Sequence, residues 1–149
     1  MNKGPITSDY FAELFVAGLL ADKGWNIYFP HRDHGFDFII SKNINGEEII
    51  RPVQVKGKYP FVDKKDKAVY GFVGKLSKLH TDMLLIIPYF HKSRKDGCDL
   101  VAFMKYSEIK KTSNGFKCQP ASFKNGEPKM KKEYSKYFDE QGLELIEQS

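Results

Sequence analysis

Arg51-Pro52-Val53-Gln54-Val55-Lys56-Gly57 has the alternation of a strand, with Val53 and Val55 on one face and Gln54 and Lys56 on the other. The valines suit a core. An amide and an ammonium two residues apart beside that core need partners, because buried polar groups are costly without hydrogen bonds. The nearest source of partners is the segment just upstream.

A turn ties the two segments together. Asn45-Gly46 lies between two apolar runs, the strongest short-range hairpin signal. With these as the turn residues, Ile44 faces Glu47, and counting outward sets Asp37 directly opposite Gln54. Directly opposed residues share a face, and Lys56 lies one step further along it. Pro52 cannot donate to a ladder and marks a bulge or an edge. A one-residue slip there would send Asp37 to the reverse face. Asp37 itself sits in Phe36-Asp37-Phe38-Ile39-Ile40, whose apolar run predicts a strand buried on both faces. A carboxylate in that setting needs a partner or a metal ion. The architectural alternative is an aspartate that closes a turn beside Gly35.

Upstream, the pattern predicts a helix from about Ser8 to Lys23, with Thr7, Ser8 and Asp9 as N-cap candidates and Gly24 placed to end it. Its apolar residues fall on nearly every side, so most sides should be buried. Glu13 is the single charge between Tyr10 and Ala21. It occupies either a solvated side or a polar cleft. Trp25 to Phe29 reads as a short strand stopped by Pro30. The loop His31-Arg32-Asp33-His34-Gly35 lacks the spacing of a zinc site and better suits the rim of a phosphate-binding cleft.

Downstream of Lys56 the chain turns basic and aromatic. Such interleaving tracks a phosphate backbone, or else forms a solvated loop with buried rings. The candidate DNA contacts are Arg32, His34, Lys58, Lys64, Lys65, Lys67 and Lys75. A helix is predicted over Phe72 to His80, a buried strand over Met83 to Pro88, another over Asp99 to Met104, and a helical turn at Tyr106 to Lys110. A short strand from Phe116 to Ser122, a helix opened by Lys129 to Lys136 and an acidic tail complete the chain.

With helix, strand and hairpin in this order, Asp37 followed by Gln54-Val55-Lys56 resembles the bipartite signature of the PD-(D/E)xK nuclease superfamily. Glu13 matches the extra acid of its resolvase-like branch. The resemblance covers roughly Ser8 to Pro88. Phe36 stands where that family often has proline, and Gln54 replaces the usual acid. This QxK form is similar to that of Mrr-type restriction nucleases and of a group of intron homing endonucleases.

The resemblance implies an α/β fold, a restriction-endonuclease-like αβββαβ core with a mixed central sheet flanked by helices. It implies one nuclease-like domain over 1–149, with the core at about 8–104 and a C-terminal extension over 105–149. It implies an endonuclease that hydrolyses DNA phosphodiester bonds with Mg²⁺, or another divalent ion such as Mn²⁺. Glu13, Asp37, Gln54 and Lys56 would be catalytic, and Asp37, Glu13 and the backbone carbonyl of Val55 would hold the metal. Gln54 removes one negative charge, so weaker ion binding and a single metal are expected. Double-stranded DNA would be cut site-specifically, in homing or restriction fashion, by a homodimer or homotetramer that offers each strand a site. A Holliday-junction resolvase-like nuclease, a non-catalytic DNA-binding module of the same fold and an RNA-directed nuclease are the alternatives.

Bulk properties agree with this class. A chain of 149 residues with 41% hydrophobic residues can bury the core of one domain. A net charge of +5 and a pI near 9.1 lean toward a polyanionic partner. The two cysteines form no CxxC pair, as expected of a reduced protein. No stretch reads as a signal peptide or a membrane span, so a cytoplasmic location with no membrane partner is expected.

Overall fold

The computed structural model describes residues 7–32, 35–60, 81–91, 98–112 and 115–148. It is a mixed α/β protein. Helix α1 (Thr7–Asp22) leads into β1 (Asn26–Tyr28), β2 (Phe38–Ile44) and β3 (Glu47–Val55), followed by β4 (Leu84–Phe90) and β5 (Cys98–Lys105). These five strands form one sheet in the order β1-β2-β3-β4-β5. Only β3 and β4 pair in parallel, so the sheet is mixed. The helix expected over Phe72 to His80 lies outside the described residues.

α1 stops where its sequence says it should. Gly24, at φ +95°, donates to the Ala21 carbonyl, and Trp25 donates to the Leu20 carbonyl. That pair of bonds is the Schellman closure, which needs the left-handed conformation glycine adopts without strain. β2 and β3 turn at Asn45 (φ 54°) and Gly46 (φ 86°), the mirror-image geometry that matches strand twist. The resulting pairs run from Ile44↔Glu47 to Phe38↔Val53, which is the register counted from the sequence. Pro52 faces Ile39 without shifting it, and pairing with β4 begins only at Val53. The missing N–H of Pro52 therefore falls just short of the β3–β4 ladder.

The sheet has two differently covered faces. On one, Phe38, Ile40, Val53, Val55, Leu84 and Ile86 pack against Ala12, Val16 and Leu20 of α1 and against the closing helix α2 (Asp139–Ile146) through Leu143 and Ile146. On the other, Leu85, Ile87, Tyr89, Ala102 and Met104 pack under Ala121, Phe123, Tyr137 and Phe138. β6 (Lys110–Thr112) and β7 (Gly115–Lys117) form one small hairpin, β8 (Ala121–Lys124) and β9 (Glu127–Met130) another, and a 3-10 helix covers Lys132–Tyr137. The single strand expected over Phe116 to Ser122 is thus two strands on either side of Pro120. The helix expected at Lys129 to Lys136 is a strand end followed by a 3-10 turn. Among the described residues no helix is long and apolar enough to cross a membrane.

Arg51 ties the central sheet to the end of α2. Only 7% exposed, it donates from Nε to the Ile146 carbonyl at 2.8 Å and from Nη2 to the Gln148 carbonyl. A helix leaves its last carbonyls unpaired and carries partial negative charge there. A cation from the central sheet answers both. Burial lowers the Arg51 pKa from its ordinary value, with Asp82 opposing the shift. Lys42 adds a second tie, donating to the Lys23 carbonyl at 2.8 Å and to Glu147 at 2.6 Å. Arg51→Met keeps the apolar stem and strips both bonds to the end of α2. We expect a loss of about 2 kcal/mol, the range for charge-assisted hydrogen bonds, with amide exchange rising in α2 before α1. Equal exchange across both helices would disprove the capping role.

Candidate active site

Asp37 lies one residue before β2, whose pairing with β3 ends at Phe38↔Val53. Its N–H donates to the Val53 carbonyl at 2.9 Å. Its Oδ2 accepts from the Val55 N–H at 2.6 Å, so the side chain takes over the ladder where β2 begins. This short charge-assisted contact fixes the carboxylate against the end of β3. A strand residue turns its N–H and C=O to the same side. The Val55 carbonyl is therefore on the Asp37 side as well, while the Lys56 N–H donates to Ile86 of β4.

Gln54 and Lys56 are half-buried and alternate with the buried Val53 and Val55. Asp37 stands just before β2, and its carboxylate meets the Val55 N–H, which lies between them in sequence. α1 covers the opposite face, so Glu13 approaches from the other side, at the strand end. Packing brings its helix there. A Cβ on Gly57 would stand 2.8 Å from the Ala12 Cβ, so only glycine lets the chain after Lys56 lie this close to α1. Phe11 and Phe15, on either side of Glu13 in sequence, both rest on Phe90, which stacks on Tyr59 at 4.9 Å. Glu13 is half-buried, one turn before Val16 and Ala17 and two before Leu20. Residues at those spacings share a face. Glu13 is therefore on the stripe turned toward the sheet, not on the side where Leu14 is exposed. That exposure also departs from the expected burial on most sides of the helix.

Arg32 is exposed and Lys58 half-buried. The Lys58 N–H donates to Pro88, and its carbonyl accepts from Phe90, which pins the chain beside β4. His34, Lys64, Lys65, Lys67 and Lys75 lie outside the described residues. Among the described residues no three His, Cys, Asp or Glu side chains gather into a metal cage. The donors at the end of β3 are one fixed carboxylate and one peptide carbonyl, and Glu13 lies on the sheet-facing stripe of α1. Mg²⁺ commonly takes one or two carboxylates and keeps several waters, so the chemistry of this set fits such an ion. Sequence reasoning missed the Asp37–Val55 contact and the Gly57–Ala12 approach. Gly57, directly after the lysine, was the available signal for the latter.

Comparison with known proteins finds no matching family model, no matching curated protein and no matching solved structure.

Proposed function

We propose that this protein is a divalent-metal-dependent endonuclease acting on double-stranded DNA, built on a restriction-endonuclease-like core. The observation that carries the proposal is the hairpin register with its Oδ2 contact. The contact fixes the Asp37 carboxylate against the Val55 peptide, at the end of the strand that carries Gln54 and Lys56.

Hydrolysis of a phosphodiester forms a bond from a water oxygen to phosphorus and breaks one P–O ester bond. The water loses a proton and the leaving oxygen gains one. Asp37, Glu13 and the Val55 carbonyl would hold Mg²⁺ or Mn²⁺. When bound, the ion supplies counter-charge for the extra negative charge of the transition state and acidity for the attacking water. Lys56 neutralises the scissile phosphate and orients the water. Gln54 accepts or donates through its amide without adding charge. One site cuts one strand, so duplex cleavage calls for a homodimer or homotetramer.

The Asp37–Val55 bond also favours a second reading, a DNA-binding module that keeps the aspartate for architecture alone. Incubation of supercoiled plasmid with the protein and Mg²⁺ separates the two. The nuclease reading expects nicked and linear products, their loss in EDTA, and a fall of about 10²-fold or more in Lys56→Met. Plasmid bound but intact in Mg²⁺ and in Mn²⁺ would leave the module. Plasmid neither bound nor cut would remove both.

A further inference from the structure

The β8–β9 hairpin, with Lys124, Lys129 and Glu127, lies in a basic stretch that the proposed site does not use. From Lys117 to Lys136 the chain holds six lysines and two glutamates, nearly the whole net charge of +5. The hairpin turns at Asn125 (φ 53°) and Gly126 (φ 77°) and pairs Ser122↔Lys129 and Lys124↔Glu127. Ala121 and Phe123 take its inner face and join the core. Alternation puts Lys124 and Lys129 on the outer face, both exposed. The Lys131 N–H extends the ladder to the Pro120 carbonyl, so Lys131 continues the row begun by Lys129.

The hairpin is held at the same end of the sheet as the candidate site. β3 and β4 are parallel, so the chain after Lys56 and the residue after Phe90 leave at one end. There His91 lies 3.9 Å from Glu127 of β9. Cys118, buried at the foot of the hairpin, feels both Lys131 and Lys58, which partly offset the burial that pushes its thiol up to about 12. Lys105 and Lys136 line a separate cavity of about 130 Å³ with Phe103, Glu108 and Tyr137. Lys105 pairs with Leu84, at the opposite end of β4.

We infer that the outer face of the β8–β9 hairpin, through Lys129 and Lys131, is a backbone-contacting arm that grips the phosphates of duplex DNA beside the candidate active site. Rows of lysine on a rigid ribbon match a polyanion, and each phosphate contact releases counterions. The inference rests on the DNA-directed reading above but not on cleavage.

The test is the salt dependence of binding to a labelled mixed-sequence DNA duplex, measured in Ca²⁺ for the full chain. Lys129→Ala/Lys131→Ala is compared with the charge-matched Lys105→Ala/Lys136→Ala. The arm expects the plot of log affinity against log salt to flatten by about 2 for the hairpin pair, near 0.9 per lost contact, and to keep its slope for the control pair. Matching thermal midpoints for the two variants show that folding is not the cause. Equal flattening in both, which signals bulk charge alone, would overturn the arm, as would no change in either. Tighter binding of an RNA duplex of equal length would overturn the assignment to DNA. Retained cleavage with an unchanged slope defeats the arm alone. Normal slopes without cleavage defeat only the nuclease, and no binding by the unmodified chain defeats both.

Discussion

Asp37→Asn should abolish cleavage while leaving the fold nearly intact. Asparagine is close to isosteric, and its amide oxygen can still accept from the Val55 N–H that Oδ2 meets at 2.6 Å. What it loses is the charge. If that charge serves the metal and the transition state, cleavage should drop by about 10²-fold or more. The thermal midpoint should move by no more than a few degrees. Asp37→Ala removes the acceptor as well and leaves the Val55 N–H at the end of β3 without it. It should cost a further ~1–3 kcal/mol, the penalty for an orphaned polar group. The pair of variants separates chemistry from architecture. An Asn variant that cuts plasmid at the normal rate would remove Asp37 from the active site. An Asn variant as unstable as the Ala variant would show that the ladder needs the anion itself.

Gly142→Ala should be the most damaging single methyl in the described chain. A Cβ there would run into the Tyr137 carbonyl oxygen and lie 2.7 Å from the Phe103 ring. The first is backbone, and the second belongs to a fully buried side chain of β5. Neither can yield without moving α2 off the sheet. Overpacking of this kind costs typically 1–3 kcal/mol and occasionally more. At about 2–4 °C per kcal/mol for a chain of this length, the midpoint should fall by roughly 2–12 °C. Gly18→Ala is the counterpart. It lies inside α1 with nothing within 4 Å of its added methyl, and alanine is the better helix former by up to ~1 kcal/mol. Its midpoint should rise. A Gly142 variant that melts with the parent would mean that α2 has slack against β5.

These two glycines show what could be read from the residues and what could not. The Asn45-Gly46 turn was legible because a two-residue turn with two left-handed residues fixes the register by itself, from Ile44↔Glu47 to Phe38↔Val53. Gly24 was legible for the same local reason, and the apolar run in β4 because only burial explains it. Asn125-Gly126 carries the same turn signal, yet Lys124, Glu127 and Pro128 around it lack apolar alternation, so the hairpin they form was hidden. The cap that Arg51 places on α2 spans 95 residues, and no local pattern encodes such a partner. Gly142 was read as part of an acidic tail because its neighbours across space, Tyr137 and Phe103, have no sequence signature. Glu13 was ambiguous for a related reason. Helical spacing puts it on one stripe with Leu20, but which stripe meets the sheet is decided by the sheet.

The reach of Arg51 also constrains how the protein is made. Synthesis delivers the central strand early, and its guanidinium then waits through nearly one hundred more residues for the carbonyls of Ile146 and Gln148. Contacts of such long separation form late and slow the search for the native state. The five strands neighbour one another in chain order, so the sheet can pair as the chain lengthens, and the bonds from Arg51 to the end of α2 are added to a sheet already laid down.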